Sequence, residues 1–220
     1  MSLKKTLKRL GGEIVYRLKP GHSPRSRTVD IPVFHELGPD DIAIDCGANH
    51  GLITRILGAG GAVVHAFEPN PDVFEYLVKN TSHLPGVRCY QKAVLDAPGK
   101  MTLHLHLNYD RNPERFASAS SLIADKYNVS ESGGVEVEVI DLAAFIEALG
   151  RPVKVLKIDV EGAEYRVLNR LIDSGLIDRI EHVFVETHAR MIPSLRAADD
   201  ALRQRIADRG LAEKIHLSWI

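Results

Sequence analysis

The sequence predicts an α/β protein with a doubly wound, mostly parallel sheet. Short apolar segments typical of buried strands alternate with segments whose apolar residues have helical spacing. Strands that alternate with helices form parallel sheets covered by helices on both faces. Acidic residues follow several of the apolar segments, at the strand ends where such sheets bind ligands. The predicted core strands are residues 41–45, 62–67, 87–94, 153–158, 180–185 and 214–220.

Helices are predicted for residues 51–57, 71–80, 141–149, 164–171 and 197–209. Pro71 suits the first turn of its helix, and Asp141 suits an N-cap. Alternation of apolar and polar residues predicts two half-exposed strands, 101–107 and 135–140. The residues between 108 and 134 are rich in serine, asparagine and charge, so we expect a substrate loop or lid there.

The composition indicates a globular protein without a nucleic-acid partner. Of 220 residues, 45% are hydrophobic and 26% are charged, and the net charge is -1. Cys46 and Cys89 cannot form a disulfide framework in a chain of this length, so we expect reduced thiols in a cytoplasmic protein. No apolar segment approaches the roughly 20 residues that a transmembrane helix needs.

Residues 1–38 are predicted to form a basic N-terminal extension that precedes a single domain, residues 39–220. Leu3, Leu7, Leu10 and Ile14 recur at helical spacing among lysines and arginines, which predicts an amphipathic helix. We expect this helix to dock on the surface of the domain. The alternative is peripheral contact with an anionic membrane surface or a lipid-linked sugar.

The sequence DCGANHG, residues 45–51, follows the first predicted strand and begins a helix. Gly47 permits a tight turn, and Gly51 permits close packing of the helix. A dinucleotide-binding turn needs three glycines, and Asp45 occupies the place of the first. A carboxylate there disfavours a pyrophosphate and favours a ligand with an ammonium or sulfonium charge. The turn therefore predicts S-adenosylmethionine as the ligand, and a nicotinamide-dependent oxidoreductase is the disfavoured alternative.

Glu68 ends the second predicted strand, in the sequence EPNP. A carboxylate at this place in an α/β sheet can accept hydrogen bonds from both hydroxyls of an adenosine ribose. The alternative is a solvated acid without a ligand. The turn and Glu68 together predict a nucleoside pocket.

The chain resembles the FkbM family of methyltransferases. The matching segments are IDCGANHG, AFEPNP, KAV, SASSL, LKIDVEGAE and VETH, which lie between residues 44 and 188. The resemblance implies a class I methyltransferase (Rossmann-like) fold of seven strands, S-adenosylmethionine as methyl donor, and O-methylation of a hydroxyl on a sugar, glycan or secondary metabolite. By position it implies a donor pocket lined by Asp45, Gly47, Asn49, Gly51 and Glu68, with the backbone of Ala93 near the adenine.

The sequence departs from the family pattern at both ends. The family fold closes with an antiparallel pair of strands, but few residues follow the last predicted helix. We therefore expect the seventh strand to be missing or supplied otherwise, and a homo-oligomer is one way to cover the open edge. The basic segment before residue 39 has no counterpart in the family pattern.

Two neighbouring strand ends are predicted to supply the catalytic groups. Asp159 and Glu161 follow one strand, and Glu186 and His188 end the next. We expect His188 to accept the proton of the acceptor hydroxyl as a neutral imidazole, with activity falling below a pH of about 6–7. A second hypothesis places a magnesium ion on Asp159, Glu161 and Glu186. A third makes the protein a non-catalytic, donor-binding scaffold in a biosynthetic complex.

Overall fold

The computed structural model describes residues 9–10, 13–14, 31–106 and 129–217. Its strands are β1 (Arg9–Leu10), β2 (Glu13–Ile14), β3 (Ile42–Cys46), β4 (Val63–Phe67), β5 (Val87–Tyr90), β6 (Ala93–Leu95), β7 (Gly99–His106), β8 (Val129–Asp141), β9 (Val153–Ile158), β10 (Ile180–Val185) and β11 (Ile215–His216). Its α-helices are α1 (Pro32–His35), α2 (Leu52–Gly58), α3 (Pro71–Thr81), α4 (Leu142–Leu149), α5 (Glu164–Asp173) and α6 (Arg196–Asp208).

Six strands form the main sheet in the order β11-β10-β9-β3-β4-β5, and every neighbouring pair is parallel. The chain runs outward from β3 to β5 on one side and from β9 to β11 on the other. The switch point therefore lies between β3 and β9, whose carboxyl ends are adjacent. This topology confirms the predicted doubly wound parallel sheet.

Apolar side chains of β3 alternate between the two faces of the sheet. Ile42 and Ile44 belong to the core that includes buried residues of α4, α5 and α6, and Ala43 belongs to the core that includes α1 and α2. Helices thus cover both faces, as predicted. The ring of Phe34 in α1 meets Phe184 at a centroid distance of 4.9 Å. Part of the segment predicted as an N-terminal extension therefore packs against the domain.

The predicted strand over residues 87–94 is wrong in one respect, because the structure has two strands there. β5 belongs to the main sheet, whereas β6 belongs to a second sheet of order β6-β8-β7. The backbone N–H of Lys92 donates to the carbonyl oxygen of Tyr90 at 2.9 Å, which makes a tight turn between the two strands. The apolar residues on both sides of this turn give no sign of it in the sequence.

The N-terminal prediction is also corrected where the structure describes that segment. β1 and β2 pair antiparallel, with Arg9 opposite Ile14, at positions predicted to be helical. Two glycines separate these strands in the sequence, a combination common in hairpin turns. The rest of the predicted helix, residue 107, residues 108–128 of the predicted lid, and residues 218–220 lie outside the described residues. Residues 129–134, also predicted as part of that lid, belong instead to β8.

The far edge of the main sheet is formed by β11, which pairs in parallel with β10 through Val183 and Ile215. Within residues 31–106 and 129–217, no antiparallel strand joins this edge. Among the same residues, no helix has both the length and the apolar composition required to cross a membrane.

Candidate active site

Asp45 is the penultimate residue of β3 and is fully buried. The Thr54 hydroxyl donates to its Oδ2 at 2.7 Å, and the Lys157 ammonium lies 3.2 Å from its Oδ1. The carboxylate has no accessible surface, and its expected place in the lining of the donor pocket stays a prediction. A charged group at this depth requires a partner, and Lys157 provides it.

The turn after β3 depends on residues in the left-handed region of backbone conformation. Gly47 has a φ of 75°, and a Cβ added there would lie 1.8 Å from the carbonyl oxygen of Asp159. Gly51 has a φ of 84°, and its Cβ would lie 2.9 Å from Leu77 Cδ1. Asn49 also has a positive φ, 51°. The predicted tight turn and close helix packing are therefore confirmed.

Glu68 is only 8% exposed and lies beside this turn. Its two carboxylate oxygens accept the backbone N–H groups of Asn49 and Asn70, both at 2.9 Å. Burial raises the pKa of Glu68 to about 7, although the two hydrogen bonds and the Lys157 charge act in the opposite direction. Each carboxylate oxygen has a second lone pair, which leaves capacity for the hydroxyls of a ribose.

Ala93, the residue that the resemblance places near an adenine, is buried at the start of β6 and pairs with Val139 of β8. It follows the carboxyl end of β5 by three residues. Its backbone contact with a nucleoside stays a prediction.

Three of the predicted catalytic side chains converge beyond β9 and β10. His188 Nε2 lies 3.1 Å from a Glu161 oxygen and 3.7 Å from an Asp159 oxygen. One ligand atom from each of these residues lies within 4.8 Å of the others. Glu186 is half-buried, and its backbone N–H donates to the Ile158 carbonyl at 2.9 Å, which continues the β9–β10 pairing.

The environment of His188 does not agree with the role of a neutral base. The imidazole is 1% exposed, and its Nδ1 lies 3.2 Å from an oxygen of Glu164 that also accepts the His188 backbone N–H. Burial alone would lower the pKa of His188, but the hydrogen bonds to Glu161 and Glu164 outweigh burial and raise the pKa to about 10. An imidazolium has no lone pair to accept a proton at neutral pH.

Glu186, rather than His188, has a pKa suited to accepting a proton near neutral pH. Burial and the Asp159 charge raise the pKa of Glu186 to about 7, against the opposing charge of His188. A half-buried carboxylate with this pKa can accept a proton near neutrality.

Two further residues of the site, Lys157 and Glu164, had no predicted role. Both are buried, and both have several partners in the site. Lys157 carries a sequence signal, because it is a charged residue inside an apolar strand, two residues before Asp159 and hence on the same side. Glu164 carries none, since an acid in the first turn of a helix is common.

This topology, with a nucleoside-type turn after β3 and an acidic residue after β4, defines a class I methyltransferase fold. The chain belongs to the FkbM methyltransferase family, because residues 45–211 match the model of the methyltransferase FkbM domain. This membership leaves no support for a nicotinamide-dependent oxidoreductase.

Two curated relatives extend the comparison. The hexuronic acid methyltransferase AglP of Haloferax volcanii is 28% identical over 163 residues, which cover 73% of this chain and 62% of AglP. Methyltransferase 1 of Beauveria bassiana is 29% identical over 169 residues, covering 67% and 65%. The chain thus spans slightly under two thirds of the length of these relatives. Among solved structures, methyltransferase FkbM of Methylobacillus flagellatus is 13% identical with a TM-score of 0.38, covering 66% of this chain and 35% of that one.

Proposed function

We propose that this protein is an S-adenosylmethionine-dependent O-methyltransferase that acts on a hydroxyl of a sugar, glycan or secondary metabolite. The observation that carries the proposal is the arrangement at the switch point. A carboxylate suited to ribose, Glu68, lies on one side of β3, and a cluster of acidic side chains lies on the other. The similarity to a hexuronic acid methyltransferase supports a sugar acceptor.

The donor pocket is proposed to consist of the turn over residues 47–51 together with Glu68 and the backbone of Ala93. Glu68 would accept the ribose hydroxyls while its existing bonds to Asn49 and Asn70 hold it in place. Asp45 would support this pocket from the interior. S-adenosylmethionine supplies an electrophilic methyl group on a positively charged sulfur.

The acceptor side is proposed to activate and orient a hydroxyl. As the oxygen–carbon bond forms and the carbon–sulfur bond breaks, the hydroxyl proton passes to the Glu186 carboxylate, and sulfur leaves as a neutral thioether. His188, as a cation, would hold the Asp159 and Glu161 carboxylates in position. Orientation of the reactants contributes a large part of the rate in such a displacement.

A divalent metal is the second candidate for activating the hydroxyl. The residues that converge are Asp159, Glu161 and His188, whereas the metal hypothesis from the sequence has Glu186 in place of His188. Magnesium prefers oxygen ligands, and a histidine ligand must first lose its proton. A metal held by this cluster would therefore have to displace the His188 proton.

The proposal is tested by calorimetric titration of the whole chain with S-adenosylmethionine, S-adenosylhomocysteine and NAD. Methyl transfer is then measured from labelled donor to a panel of neutral and acidic glycans. We expect binding of the first two ligands, no binding of NAD, and label in a hydroxyl of at least one glycan. Binding without transfer to any acceptor would favour the scaffold hypothesis, and absence of donor binding would reject the proposal.

The identity of the group that activates the hydroxyl is tested by measuring turnover as a function of pH and after treatment with a chelator. Below pH 7 we expect the rate to fall about tenfold per pH unit, because Glu186 becomes protonated, and to level off above that pH. Glu186→Gln should lower kcat by at least about a hundredfold. Loss of activity after dialysis against chelator, with recovery on addition of magnesium or manganese, would favour the metal instead.

A further inference from the structure

We propose that Lys157 is a positioning residue for methyl transfer. Its ammonium group holds the Asp159 carboxylate at a set distance from the donor-binding turn. The residue would act through Asp159 and would touch neither the donor nor the acceptor. The inference rests on the proposed function, because it assigns a role within the same site.

The contacts of Lys157 join the two halves of the sheet. Its ammonium lies 2.6 Å from the Gly47 carbonyl oxygen and 3.2 Å from that of Cys46, both on the donor side. It also lies 3.2 Å from Asp45 Oδ1 and 3.6 Å from Asp159 Oδ2. One cation thus connects the end of β3 to the first acidic side chain after β9.

Stability alone is a weak reason for a cation at this depth. Lys157 is 3% exposed, and removing a charge from water is unfavourable unless its partners offset the lost hydration. Burial would lower the pKa of Lys157, but Asp45 and Asp159 outweigh burial and raise it, so the group stays charged. Apolar residues of similar volume often replace buried ion pairs without loss of stability. A function in the site accounts for retaining the pair.

Besides its two carbonyl contacts with Lys157, the donor turn has backbone hydrogen bonds that do not involve this residue. The Gly47 N–H donates to the Phe67 carbonyl at 3.0 Å, and the Asp159 N–H donates to the Cys46 carbonyl at 3.0 Å. The Asp159 side chain, in contrast, is held by the Lys157 ammonium and by His188 at 3.7 Å. Loss of the ammonium should therefore displace the acidic side chain and leave the donor turn in place.

The test is the double variant Asp45→Asn with Lys157→Met. The single variant Lys157→Met leaves the Asp45 carboxylate buried without its cation and should lower the melting temperature. The double variant removes both charges, and the Thr54 hydroxyl can still donate to the asparagine oxygen. We expect a melting temperature near that of the wild type, donor affinity within about threefold, and a kcat lower by roughly 10- to 100-fold.

The matched control is Lys154→Met, on the same strand. Lys154 forms an ion pair with Glu181 at 2.8 Å near the surface, and its loss should leave donor affinity and kcat unchanged. A double variant with wild-type kcat would overturn the proposal, because Lys157 would then serve only to neutralise Asp45. A loss of donor affinity equal to the loss of kcat would overturn it as well. If the wild type itself transfers no methyl group, the proposed function fails, and the role of Lys157 fails with it.

Discussion

Glu68 shows how one side chain can have two tasks in this site. Its carboxylate binds two backbone N–H groups, and it is also the group suited to the hydroxyls of a ribose. Because the carboxylate is buried, each missing partner costs more than it would at the surface.

Glu68→Gln should therefore weaken the binding of S-adenosylmethionine by about 1–3 kcal/mol, since one oxygen becomes an amide donor facing other donors. Calorimetric titration measures this loss, and a melting curve checks the fold. Glu75→Gln, on the exposed side of α3, is the matched control and should leave affinity unchanged. Unchanged affinity in a folded Glu68 variant would remove this residue from the pocket.

The protonation state of His188 is a property that the sequence could not predict. Its place at a strand end follows from the pattern of strands, and the structure confirms its proximity to Asp159 and Glu161. Its protonation state depends on Glu164, which lies 24 residues away in the chain and contacts the ring only after folding. No local pattern carries that information.

At the scale of an element, the turn between β3 and α2 is the most constrained segment of the site. Its glycine at position 47 combines a positive φ with contact against a neighbouring backbone. Gly150, at the C-cap of α4, has a similar φ of 64° but no atom within 4 Å of an added Cβ. A comparison of substitutions at Gly47 and Gly150 therefore distinguishes the cost of backbone strain from the cost of steric overlap.

Gly150→Ala should cost about 1–2 kcal/mol in the free energy of unfolding, the usual penalty for a left-handed residue with a side chain. Gly47→Ala should cost more and should abolish donor binding, because the Asp159 carbonyl must move. Urea denaturation and donor titration measure both effects. Equal costs for the two variants would contradict the close contact between the strand ends.

Elements were predicted well where their signal is local. The parallel strands followed from apolar segments, and the Asp141 cap is confirmed by its bonds to the backbone N–H groups of Ala143 and Ala144. α1 was missed because four residues are too few to show a period. The division of β5 from β6 was missed because sheet membership depends on partners distant in sequence, here β8.

At the scale of the whole molecule, the buried charges make stability depend on pH. The folded protein holds the His188 proton up to a pH of about 10, whereas an unfolded histidine loses it near 6.5. The stabilisation from His188 is therefore complete below about pH 6.5 and is lost as pH rises through 10.

We expect the free energy of unfolding to fall between pH 7.5 and 9.5, by at most about 1.4 kcal/mol per pH unit for this one proton. His188→Gln should flatten the slope, because the variant lacks the group whose pKa differs between the folded and unfolded states. Chemical denaturation at each pH gives the comparison. A slope that survives in the His188 variant would assign the effect to other groups.

The contact between Lys157 and Gly47 spans 110 residues of chain, and this separation bears on how a nascent polypeptide assembles. Asp45, near the end of β3, is synthesised early, but the cation that accompanies its carboxylate arrives only with β9. Before β9 docks, β3 is an edge strand, and burying the Asp45 carboxylate without its cation would cost several kcal/mol. We therefore expect the packing around Asp45 to be completed only when β9 docks. The interior and the pocket would then be completed in the same event.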